Sequence, residues 1–130
     1  MTRQARETVI AFWSTMQTND FAAASAWLAE DFELYWPQSS ERIIGRANFA
    51  ALNTHYPAHG LWRFTLNKIL AEGDEVVTDV SVSDGEVEAT ALTFSVVKEG
   101  LIIRQVEYWP NPFEAPAWRR EWVNIGKPSE

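Results

Sequence analysis

The sequence contains no cysteine, so disulfide bridges, thiolate nucleophiles and cysteine-ligated metals are all excluded. Positive charge is scarce too: eleven Lys and Arg stand against eighteen Asp and Glu, a formal net charge of −7, and the cations form no cluster. A protein that grips a phosphate backbone needs clustered cations, so nucleic acid is not expected as a partner. No apolar run approaches the roughly eighteen residues that mark a membrane span. The opening M-T-R-Q-A-R-E-T lacks the charged-then-apolar layout of an export signal, so the expectation is a cytoplasmic protein with no membrane partner. No cofactor motif is present. What the chain has in quantity is apolar bulk. Its 130 residues are 46% hydrophobic with seven Trp and seven Phe, enough for one domain with a real core.

Residues 3–18 place Val9, Phe12, Trp13 and Met16 on one helical stripe that Asn19-Asp20 ends. Asp20 suits the N-cap of an alanine-rich second helix, with Phe21, Ala24 and Leu28 on one face, running to about Glu30. D-F-E-L-Y-W-P then alternates, putting Phe32, Leu34 and Trp36 on one side of a strand stopped by Pro37. A polar loop leads to a third helix in G-R-A-N-F-A-A-L-N-T-H-Y, which ends before Pro57. Four strands follow at about 61–71, 75–83, 86–98 and 101–109. They are separated by Glu72-Gly73-Asp74, Ser83-Asp84-Gly85 and Lys98-Glu99-Gly100, short turns that imply an antiparallel meander. Helices then strands give an α+β domain, with helices on one face of a curved sheet. Residues 110–130 form an aromatic and proline-rich C-terminal flap.

This element order, with the N-D-F start to the second helix, the strand ending in W-P, the G-R-A-N-F opening of the third and the final E-Y-W, resembles the nuclear transport factor two-like superfamily, particularly its SnoaL-like branch. The likeness spans residues 5 to about 110. It implies a cone-shaped α+β barrel around a pocket, a small-molecule ligand, and a homodimer paired through the convex sheet face. Members include ketosteroid isomerases, limonene epoxide hydrolases, polyketide cyclases, dehydratases and non-catalytic binding modules, so the fold leaves the chemistry open.

Strand alternation splits each strand into two faces. Registered on the resemblance, Asp79, Thr93, Gln105 and Glu107 belong to the concave set, while Val76, Thr78, Val80, Val82, Ile102 and Arg104 belong to the convex one. A one-residue bulge would exchange the sets. Trp13, Trp36, Tyr56, Trp62 and Trp109 then wall a mostly apolar ligand pocket above a polar floor.

Glu107 is the leading catalytic candidate, because a carboxyl desolvated by Trp36 and Trp109 has its pKa raised toward working pH. The resemblance adds that epoxide hydrolases and polyketide cyclases carry an acid at this place on the last strand. The competing reading is a structural ion pair with Arg104 or Arg119. Asp79 is the second candidate acid, or else a solvated rim charge. His55 and His59 flank Pro57, whose break of the helix leaves no aligned metal pair, and no metal site is expected.

Departures from the family's enzymes also count. Trp36, Phe12 and Thr93 stand where ketosteroid isomerases carry a catalytic Asp, a Tyr and a second acid, so the resemblance does not extend to that activity. Asp79 and Ser81 lack the arginine that epoxide hydrolases need. Two readings remain: a proton-transfer enzyme of the cyclase, isomerase or dehydratase type, or a non-catalytic ligand-binding or dimerisation module. Trp118 and Trp122 fall on one face of a short terminal helix that covers either the cone's own mouth or a partner's sheet.

Overall fold

The computed structural model describes residues 4–129. Helix α1, Ala5–Met16, buries Val9, Phe12, Trp13 and Met16, the stripe read from their spacing. The residue-3 start expected for it lies outside the described residues. Asp20 caps α2, Phe21–Ala24, by accepting a hydrogen bond from the Ala23 amide at 2.9 Å. This helix is shorter than its alanine content suggests. A single 3₁₀ turn, Ser25–Trp27, follows, and strand β1 already begins at Leu28 and runs to Trp36. Leu28 pairs with Ile102 and is fully buried there. That burial, roughly 1.5–3 kcal/mol, outweighs a helix propensity of a few tenths per residue.

The expected polar loop contains a second strand, β2, Glu41–Ile44, paired with β1 so that Ile43 faces Leu34 in the core. Gly45 joins β2 to α3, Arg46–His55, at φ 86°, a left-handed conformation that a side chain would strain. Its amide donates to the Phe32 carbonyl at 2.6 Å. α3 ends before Pro57, as read from the sequence, and buries Phe49 between Phe12 and Phe32 at ring distances of 5.8 and 5.7 Å.

Strands β3 (Arg63–Glu72), β4 (Glu75–Ser83), β5 (Glu88–Lys98) and β6 (Leu101–Tyr108) form the expected meander. The sheet order is β2-β1-β6-β5-β4-β3. Only β1 and β6 run parallel, which makes the sheet mixed. It is curved and unclosed, with the helices packed on its concave side, an α+β fold of the cone-like kind.

Two face assignments are corrected. On β4 the concave residues are Val76, Thr78, Val80 and Val82, all buried, and Asp79 points to the convex side. Thr78 sits opposite Thr93, and Thr93 opposite Glu107, so these three share a face that Asp79 does not. Burying three valines under the helices outweighs the polar floor expected from Asp79. On β6 the register shifts where Ile103 has no partner, between the Val96–Arg104 and Val97–Ile102 pairs. Ile102 is therefore buried with Gln105 and Glu107, although Arg104, two residues on, is exposed.

Beyond β6 the chain is extended, with one 3₁₀ segment at Ala117–Trp122. The expected α-helical pairing of Trp118 with Trp122 does not form. In a three-per-turn helix, residues four apart point away from each other. Phe113, Trp118, Trp122 and Ile125 are largely exposed. Among the described residues no helix is long and apolar enough to cross a membrane.

Candidate functional site

A cavity of about 360 Å³ opens between α1, α3 and the concave sheet. That is within the usual size range of small-molecule pockets. The sheet supplies its floor, because alternation turns Gln105 and Glu107 of β6 inward while Arg104 and Tyr108 face out. Gln105 Nε2 donates to Ser95 Oγ at 3.1 Å, which fixes it against the neighbouring strand. Helix α1, the flanking loops and the ends of strands β1 and β3 supply aromatic walls: Trp13, Trp36, Tyr56, Trp62, Phe64 and Trp109 all line the space. Trp13 is oriented by its indole N–H, which donates to Thr78 Oγ1 at 3.2 Å, and Tyr56 meets Trp62 edge-on at 6.0 Å.

Glu107 is 6% exposed. Trp36 Nε1 donates to its Oε1 at 3.0 Å and Thr93 Oγ1 to its Oε2 at 2.6 Å. Burial pushes the carboxyl above the ordinary glutamate range. The Thr93 and Trp36 donors, with a weaker contribution from the Trp109 side chain, oppose that rise only in part. Neither expected ion-pair partner reaches it: Arg104 lies on the opposite face of β6, and Arg119 stacks near Trp118 at 5.7 Å in the C-terminal segment. An acid held in an apolar enclosure without a neutralising cation can exist as the neutral carboxyl and can give up or take a proton without leaving its hydrogen bonds.

The mouth is polar. Gln38 bridges the end of β6 to the turn after β1: its Nε2 donates to the Trp109 carbonyl at 3.0 Å, and the Trp109 amide donates back to its Oε1 at 2.5 Å. This pair fixes the Trp109 backbone at the edge of the cavity that its side chain lines. Ser39 Oγ donates to Glu41 Oε1 at 2.6 Å beside it, and Asn53 and Asn111 complete the rim.

Of the residues singled out in the sequence, Trp13, Trp36, Tyr56, Trp62, Gln105, Glu107 and Trp109 line one cavity, and Thr93 stands directly behind Glu107. Asp79 does not join them. It accepts a 3.3 Å hydrogen bond from Asn67 Nδ2 on the outer face. His55 and His59 do not converge. His55 Nδ1 lies 2.8 Å from the Ala51 carbonyl oxygen, and His59 packs on Asp84 at 3.1 Å. Asp84 itself is held far below the usual carboxylate range, chiefly by the Val87 amide and then by the His59 amide. It ties the β4–β5 turn to the loop before β3, and so fixes the Val87 side of the cavity. Gln38, Ser39, Glu41, Asn53, Phe64 and Asn111 were not singled out. Gln38, Ser39 and Asn111 lie in irregular segments without periodicity, Glu41 opens a strand that the sequence reads as loop, Asn53 is a polar residue near the end of α3, and Phe64 reads simply as a strand apolar residue.

Residues 9–105 match the family model described as the SnoaL-like domain. The chain belongs to the SnoaL-like domain family. A ketosteroid isomerase candidate from Kribbella flavida is 31% identical to it, with a TM-score of 0.88, over 98% of this chain and 93% of that one. An NTF-2 like protein of unknown function from Burkholderia xenovorans is 34% identical, with a TM-score of 0.76, over 94% and 95%. An epoxide hydrolase of the LEH-like type from M. tuberculosis shares the fold at 23% identity and TM-score 0.68, over 84% of each chain. Among curated proteins none matches significantly. Membership of the SnoaL-like family supports a ligand-binding domain compatible with catalysis.

Proposed function

We propose that this SnoaL-like domain binds a small, largely apolar organic molecule in the aromatic cavity and catalyses a proton transfer on it through Glu107, in a cyclase, isomerase or dehydratase type of reaction. The observation that supports this reading most is Glu107 itself: a buried carboxyl, without a cation, at the floor of an open cavity of ligand size. As the neutral acid it donates to an oxygen on the ligand. As the carboxylate, still held by Trp36 Nε1 and Thr93 Oγ1, it removes a proton from an adjacent carbon, so one group serves both directions in turn. The ketosteroid isomerase reaction itself is not proposed, because Trp36 and Phe12 leave the expected donors and acid absent.

A second reading, a non-catalytic ligand-binding or dimerisation module, draws support from Asp79 lying outside the cavity, which leaves Glu107 without a second acid beside it. The two separate in a deuterium-exchange experiment on a panel of small cyclic ketones in heavy water, followed by NMR. The enzyme reading expects exchange at carbon next to the carbonyl, slowed about 10²–10⁴-fold in Glu107→Gln. Binding without exchange, or exchange that persists in the variant, supports the module. We further propose a homodimer through the convex face, where Leu70, Phe94 and Tyr108 are exposed, with residues 110–130 acting as a flap on the domain.

A further inference from the structure

The described ionisable groups that line the cavity are all acids. Among the described residues its titratable lining groups are Glu107 at the floor, Glu41 at the mouth and Tyr56 at the rim, with no Lys, Arg or His. The whole chain adds a net charge of −7, which raises the local concentration of cations and lowers that of anions. For a neutral hydrocarbon-like ligand, aromatic walls alone suffice, and a buried acid only adds a desolvation cost. An anion is opposed by the chain's net negative charge, by Glu41 at the mouth and by Glu107 whenever it is ionised. The ligand class attracted by the acid and by the electron-rich rings together is an organic cation, since π systems favour ammonium groups within about 6 Å of their centres, most strongly when water is excluded.

We infer that the cavity takes a small organic ammonium ion with apolar substituents, lodged among the Trp36, Trp62 and Trp109 rings with its charge beside Glu107. This rests on reading the cavity as a ligand pocket but not on the proton-transfer chemistry. Glu107 accepts hydrogen bonds on both oxygens and meets no cation among the described residues, so the ligand supplies the positive charge that its carboxylate form lacks. One linked consequence follows. Burial raises the Glu107 pKa, while a fixed positive charge beside it favours the carboxylate, so binding of a cation lowers that pKa and releases a proton wherever the acid was still protonated. Glu41, the other acid, is hydrogen-bonded by Ser39 at the mouth, and no titratable group of α1, α3 or β5 lines the space.

The test is isothermal titration calorimetry on the full chain, comparing choline with dimethylbutanol, in which carbon replaces the quaternary nitrogen at nearly constant shape. The structure predicts choline at least about tenfold tighter than its neutral isostere. It also predicts that, on the acidic side of the Glu107 titration, binding releases a proton, read as a binding heat that changes with the ionisation heat of the buffer. Choline carries no ammonium proton, so any proton released comes from the protein. In Glu107→Gln the preference and the proton release both vanish. An isostere that binds as tightly as choline overturns the cation assignment and leaves the pocket reading standing. A preference that survives unchanged in Glu107→Gln overturns the role of that carboxyl. If neither compound binds, the cation assignment and the pocket reading fall together.

Discussion

Glu107 keeps its proton more tightly than an exposed glutamate because its charged form must be solvated by two or three hydrogen bonds instead of by water. Its folded-state pKa is raised above the unfolded value of about 4.3. The neutral carboxyl therefore contributes its full stability below the unfolded value, and that contribution is lost as pH rises through the folded-state value. Thermal unfolding followed from pH 4 to 9 is expected to show a decline in Tm over that rise, and Glu107→Gln is expected to remove it while keeping the fold. Gln retains an oxygen for Trp36 Nε1 and can donate to Thr93 Oγ1, so the geometry tolerates it. A variant with the same pH slope as the parent contradicts the assignment of the buried acid. At this scale the sequence was informative: the walls and Glu107 were legible because aromatic residues and strand alternation carry strong signals. The clamp by Gln38 was not, since a loop amide bears no mark of the backbone groups it will meet.

Elements were legible where periodicity was long and ambiguous where tertiary pairing decided. The α1 stripe and the turns of the meander follow from spacing and from Gly and Asp chemistry. The early start of β1 depends on a partner distant in sequence, Ile102 for Leu28, and β2 on a local pairing of Ile43 with Leu34 that its four residues are too short to signal. The side occupied by Asp79 depended on cross-strand register, which alternation within one strand cannot supply. α3 matters more than its length suggests, because Phe49 bridges α1 and β1 above the cavity. Phe49→Ala is expected to destabilise the protein by about 3–5 kcal/mol in urea unfolding, through lost transfer energy and the void left behind. A loss below about 1 kcal/mol would mean that α3 does not hold the helical layer to the sheet.

At the scale of the whole molecule, apolar groups remain in water. Phe94 and Tyr108 pack edge-to-face at 6.1 Å on the convex sheet, and the C-terminal segment exposes Phe113, Trp118 and Trp122. The proposed homodimer covers the first of these surfaces. Phe94→Asp places a charge on that face and is expected to shift the mass measured by light scattering from dimer to monomer. A parent protein that is already monomeric at tens of micromolar removes the proposal. The central claim is that the cavity beneath Trp36 and Trp109 is a ligand site organised around Glu107. A crystal structure after soaking with a library of small amines, alcohols and ketones tests it most directly. The account predicts fragments clustered among the aromatic walls, with a polar atom within hydrogen-bonding distance of the Glu107 carboxyl. A cavity that stays empty while fragments gather elsewhere, or one filled by the C-terminal segment of a second copy, would contradict it.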